Sequence, residues 1–119
     1  MQISQKRQQI WKKLQELVPL RLAGSWDNVG VLVDPLPIHD GTERIFLTID
    51  LTEAVLQEAF AWKATIIVAY HPPIFGGLKY LNLQHPKSRL IVQAIQAGIG
   101  IYSPHSALDA VEGGICDWL

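Results

Sequence analysis

Apolar positions along the chain switch between helical and strand periods, and the switches divide it into elements. Ile10, Trp11, Leu14, Leu17 and Val18 recur at helical spacing, which predicts an amphipathic first helix ending before Pro19 and the Gly24-Ser25 pair. Val29 to Val33 reads as a strand closed by Asp34-Pro35, and a Pro-rich loop to Gly41 leads into Arg44 to Ile49, an apolar and β-branched run typical of a buried strand. Asp50-Leu51-Thr52-Glu53 has capping-box spacing with Asp50 as the cap and Thr52 as the alternative. The helix it opens carries Ala54, Val55, Ala59 and Trp62 on its apolar stripe, and Ile66-Ile67-Val68-Ala69 follows as a second buried strand.

Strand, helix and strand in this order make a βαβ unit, whose right-handed crossover returns the second strand parallel to the first. The C-terminal ends of the two strands then share an edge, with Asp50 and Thr52 at one end and Tyr70-His71 at the other. Open α/β sheets bind ligands at that edge. His71-Pro72-Pro73 cannot continue a central strand, and Gly76-Gly77 marks a loop running to His85. Pro86 suits a first helical position, Leu90, Ile91, Ala94 and Ile95 form the apolar face, and Gly98 stops the helix. A further strand from Ile99 to Tyr102 delivers Ser103-Pro104-His105, and a last helix begins near Ser106 and is interrupted at Gly113-Gly114. The expected fold is a single α/β domain over residues 1–119, a mixed or parallel sheet flanked by helices, with no internal repeats.

The 119 residues suffice for one core, and 49% apolar against 18% charged residues places the chain among globular proteins. A net charge of -1 gives no field directed at nucleic acid or a membrane surface, and no run reaches the roughly 18 to 20 apolar residues of a membrane span. Neither direct nucleic-acid binding nor membrane insertion is expected. Cys116 is the one cysteine, so no internal disulfide or CxxC site exists, and it reads as a buried structural thiol in a reducing, cytoplasmic setting. Lys6, Arg7, Lys12 and Lys13, without acidic neighbours, faintly resemble a mitochondrial transit peptide, which keeps mitochondrion and nucleus as alternative locations.

Candidate chemistry gathers at the predicted strand ends. His71, where an apolar strand meets a Pro-locked loop, reads either as a metal ligand or as a hydrogen-bonded strand-end histidine. His105 and Asp109 lie four apart, so both can occupy one side of a first helical turn and reach a shared ion; a capping histidine and a solvated carboxylate are the plain alternative. Imidazole with carboxylates suits Zn, Mn or Fe, any of which lowers the pKa of a bound water for hydrolysis. Two ligands fall short of the roughly three that catalytic zinc sites keep. Trp26-Asp27-Asn28-Val29-Gly30 reads as a structural turn, and neither Gly76-Gly77 nor Gly113-Gly114 has phosphate-loop spacing.

Four segments taken together, Ser25-Trp26-Asp27-Asn28-Val29-Gly30, Asp50-Leu51-Thr52, Tyr70-His71-Pro72-Pro73-Ile74-Phe75 and Tyr102 to Asp109, resemble the NIF-three-like family in the same order. The resemblance spans nearly all of the chain after the first helix, and Tyr-His-Pro-Pro-Ile-Phe is similar to eukaryotic members. It implies the N-terminal half of a two-lobed protein whose lobes face a cleft holding two metal ions, and which assembles into homo-oligomers, often toroidal hexamers. It carries His71 and Asp109 over as metal ligands, with the remaining His and Glu ligands in the C-terminal half. Many bacterial members have two consecutive histidines where this sequence has Tyr70-His71, so the second ion lacks that ligand here. The activity implied is that of a metal-dependent hydrolase, the type-two-like GTP cyclohydrolase reading of bacterial members, with His105, Asp50 or Thr52 orienting water or substrate. The alternative is a non-catalytic interaction or transcription-associated protein with protein partners, or a fragment without activity of its own.

Overall fold

The computed structural model describes residues 5–38 and 41–119, so part of the predicted Pro-rich loop lies outside the described residues. Helix α1 spans Gln5–Leu17, β1 Gly30–Val33, β2 Ile45–Thr48, α2 Glu53–Ala61, β3 Ile66–Ala69, α3 Pro86–Gln96, β4 Gly100–Ser103, α4 His105–Ala110 and α5 Ile115–Trp118. Thr52, not Asp50, caps α2: its side chain accepts the Val55 N–H at 3.2 Å. Pro86 occupies the first turn of α3, where its missing N–H costs nothing.

The strands form one mixed sheet in the order β1-β4-β3-β2. As the βαβ reading requires, β2 and β3 are parallel, with Ile45 opposite Ile66 and Thr48 opposite Ala69, and β3 is likewise parallel to β4. β1 runs antiparallel to β4, pairing Gly30 with Ser103. The N-terminal end of β1 therefore lies at the same sheet edge as the C-terminal ends of the other three strands.

Strand alternation divides the core between the two faces. Ile67, Ala69 and Ile101 pack with Leu56 and Ala59 of α2 and Ile91 and Ala94 of α3. Ile66, Val68 and Tyr102 face the other way, where Trp11 of α1 lies stacked against Tyr102 at a ring separation of 5.9 Å. Each isoleucine buried this completely contributes roughly 1.5–3 kcal/mol.

Arg7 is a feature that the first helix's periodicity concealed. It is 1% exposed, and its guanidinium forks onto Glu43 (3.1 Å from Nε) while donating to the carbonyls of Gly98 (2.9 Å) and Thr65 (3.0 Å). Arg7 is thus a clamp that ties α1 to the chain around β3 and β4.

Several expected burials are corrected. β2 is an edge strand rather than a buried one: α1 does not cover it, and Leu47 stays 74% exposed. Trp62 and Ile95 reach solvent, and the Arg44 guanidinium lies 4.0 Å above the Trp62 ring. Cys116 is exposed on the short surface helix α5 and is no core thiol.

Candidate functional site

Four chain segments converge on the sheet edge described above. β2 ends into Asp50, β3 into Tyr70-His71, β4 into His105, and the turn before β1 brings Asp27. The β2–β3 ladder continues past both strands through Tyr70 N–H to Thr48 O and His71 N–H to Ile49 O, each 3.0 Å, which fixes where His71 leaves the sheet. Pro72 and Pro73 then turn the chain away, and Asn28 Nδ2 holds that loop by donating to Ile74 O at 2.7 Å.

Each histidine meets a carboxylate through its Nδ1. His71 Nδ1 lies 2.6 Å from Asp50 Oδ1, a pair that is largely exposed, and His105 Nδ1 lies 2.8 Å from Asp27 Oδ1, where the Asp27 side chain is fully buried. The two imidazole rings are 5.4 Å apart and perpendicular, with Tyr70 5.5 Å and Trp26 5.8 Å from His105. His105 has φ 31°, a left-handed backbone that a non-glycine residue adopts only when its surroundings hold it there.

Electrostatics separate the carboxylates. Burial alone would raise the pKa of Asp27, but hydrogen bonds from the Ser106 hydroxyl, His105, and the Ser106 and Asn28 backbone N–H groups outweigh it and bring the value down to about 2. Tyr70 donates its hydroxyl to Asp109 Oδ1 at 2.5 Å. That bond, followed by burial and the nearby negative charge, pushes the phenol up to about 12.

The expected site residues divide accordingly. Asp50 and His71 are joined directly, and His105 lies beside them. Asp109 is engaged by Tyr70, whereas Thr52 is committed to capping α2. His105 is the first residue of α4, and its Nδ1 faces Asp27. Asp27 makes the expected turn bond, accepting the Asn28 N–H, and is in addition the buried partner of His105, a contact that only the antiparallel pairing of β1 with β4 brings about. Tyr70, standing where many bacterial members have a histidine, is a hydrogen-bonding member of the cluster.

The profile of the Duf34/NIF3 (NGG1p interacting factor 3) family matches residues 5–119. The chain belongs to the Duf34/NIF3 family. NIF3-like protein 1 of Dictyostelium discoideum is 51% identical over 117 residues, covering 98% of this chain and 33% of that protein. NIF3-like protein 1 of Homo sapiens is 46% identical over 106 residues, or 89% of this chain and 28% of the relative. Among solved structures, the Bacillus cereus protein related to NIF3 superposes with a TM-score of 0.81 at 29% identity, over 92% of this chain and 30% of that one. The chain thus spans about a third of the length of these NIF3 relatives.

The donor set can be weighed against the metal ions expected of this family. Imidazole and carboxylate are the right ligands for a borderline cation, and a histidine that gives its Nδ1 to a carboxylate is oriented as metal-ligating histidines are. Yet among the described residues no group of three or more His, Cys, Asp or Glu side chains is placed to hold an ion. These residues fit one wall of a metal site and do not close it. No helix among the described residues is long and apolar enough to cross a membrane.

Proposed function

We propose that this chain supplies one wall of a divalent-metal site in a hydrolase-like protein, with His71 and Asp109 as its ligands and Zn, Mn or Fe as the ion. The carrying observation is the Asp50–His71 pair, which ties up Nδ1 and leaves Nε2 as the ligating atom on an exposed ring. When bound, such an ion supplies an acidified water at neutral pH. Asp50 orients His71, and His105 stands beside it to position water or substrate. The remaining ligands come from outside these residues, either from a longer form of the protein or from another subunit of a homo-oligomer.

A second reading is favoured by Tyr70. Its hydroxyl holds Asp109 Oδ1 at 2.5 Å, so one proposed ligand atom is engaged within the protein, as suits a non-catalytic module that recruits protein partners. Metal content after dialysis against a weak chelator separates the two. Under the first reading, a form carrying the remaining ligands binds metal, and His71→Ala and Asp109→Ala in that form each lose the metal and hydrolysis with it. Metal retained by both variants would sink it, while partner capture that survives His71→Ala would support the second.

A further inference from the structure

Asp27 is more heavily hydrogen-bonded than a turn requires. Its Oδ1 accepts the Asn28 N–H at 2.9 Å and faces His105 Nδ1 at 2.8 Å, while its Oδ2 accepts the Ser106 N–H at 3.1 Å and the Ser106 hydroxyl at 2.5 Å. Ser106 Oγ in turn accepts the Gly24 N–H at 3.0 Å, which leaves its own proton free for Asp27. Asn28, Ser106 and Gly24 thus form a frame that holds the carboxylate in place before His105 is considered.

An ionised carboxylate only accepts, so the nitrogen facing it must carry the proton. A bare Nδ1 at 2.8 Å would set two lone pairs against each other at a buried carboxylate. We propose that Asp27 is a positioning residue that fixes His105 as the Nδ1–H tautomer and so presents a bare Nε2, beside His71 and Tyr70, to a hydrogen-bond donor such as a water or a substrate hydroxyl. Asp50 makes the same contact to His71 but from an exposed position, where water competes for both partners. The His105 tautomer is therefore the more firmly set of the two.

This inference deepens the proposed reading of the site, but it concerns a contact within the chain and is tested without metal. Failure of the chain to bind metal leaves it intact, and its own failure leaves the metal ligands in place. The test is a long-range proton–nitrogen correlation spectrum of the imidazoles in the metal-free 15N-labelled chain near pH 8, with the His105 signals assigned from their absence in His105→Gln. In the wild type, Nδ1 should carry the proton and Nε2 should be bare. Asp27→Asn is nearly isosteric but can turn an amide N–H toward Nδ1, so it should move His105 toward the Nε2–H form, the error made when Asn replaces the Asp behind a catalytic histidine. Ser106→Ala removes the hydroxyl contact and spares the His105 contact, so the tautomer should stay as in the wild type. A merely structural Asp27 would leave the tautomer alone. An Nε2–H His105 in the wild type, or an unchanged tautomer in a folded Asp27→Asn chain, overturns the proposal. Should Asp27→Asn fail to fold, the wild-type spectrum decides by itself.

Discussion

Acidification from about pH 6 toward pH 2 should strip the wild-type chain of a stabilising term that Asp27→Asn does not have. Asp27 titrates near 2 in the folded protein against an ordinary value of 3.8, because four hydrogen-bond donors surround its ionised form. A lowered folded-state pKa means that the contribution is fully present above the ordinary carboxyl range and is lost as pH falls through about 4 toward 2. At about 1.4 kcal/mol per pH unit the gap is worth roughly 2 kcal/mol. The side chain itself is buried, but its partner His105 is 21% exposed and water screens the pair, which brings the expected figure to about 1–2 kcal/mol. Urea unfolding followed by tryptophan fluorescence at a series of pH values measures it. Other carboxylates titrate in both chains and cancel in the difference, so the stability gap between wild type and Asp27→Asn should narrow by that amount on acidification. Two curves that stay parallel from pH 6 to pH 2 would show that the hydrogen bonds around Asp27 do not hold its charge, and would refute the reasoning.

Arg7→Ala should destabilise the chain by about 3–5 kcal/mol in the same urea assay, since it removes a buried guanidinium that pairs with Glu43 and donates to the carbonyls of Gly98 and Thr65; a loss below about 1 kcal/mol would contradict the clamp. Tyr102→Phe should be neutral or stabilising by up to about 1 kcal/mol, because the buried Tyr102 hydroxyl has no hydrogen-bond partner among the described residues; a clear loss of stability would reveal a bond beyond those residues. Gly98→Ala should cost about 1–3 kcal/mol, as φ is +68° and a Cβ there would meet Ile38 N at 3.0 Å and Leu36 O at 3.1 Å; an unchanged melting temperature would argue against that conformation. Tyr70→Phe frees Asp109 from a charge-assisted hydrogen bond and should tighten metal binding about three- to tenfold by calorimetric titration, whereas weaker binding would make the phenol itself part of the site.

Much of this was present in the order of residues. Periodicities of 3.6 and 2, with Pro and Gly at the breaks, determine α1 to α3 and the three parallel strands, because local geometry decides which side chains share a face. Right-handed crossover by itself places Asp50 beside Tyr70-His71, and the family resemblance rests on those same segments. Burial was less legible: β2 is nearly as apolar as β3, yet its position at the sheet edge leaves Leu47 in water. Arg7 looks like any basic residue of an amphipathic helix until the fold brings Glu43, Thr65 and Gly98 around it. Asp27 is the clearest case. It lies 78 residues from His105, and no spacing rule links them, because their meeting depends on β1 turning antiparallel to β4. Local sequence thus determined the elements and one pair of the site, whereas only the tertiary pairing decided which carboxylate stands behind which imidazole. Contacts between distant residues arise from the packing of whole elements, and a single sequence does not encode them locally.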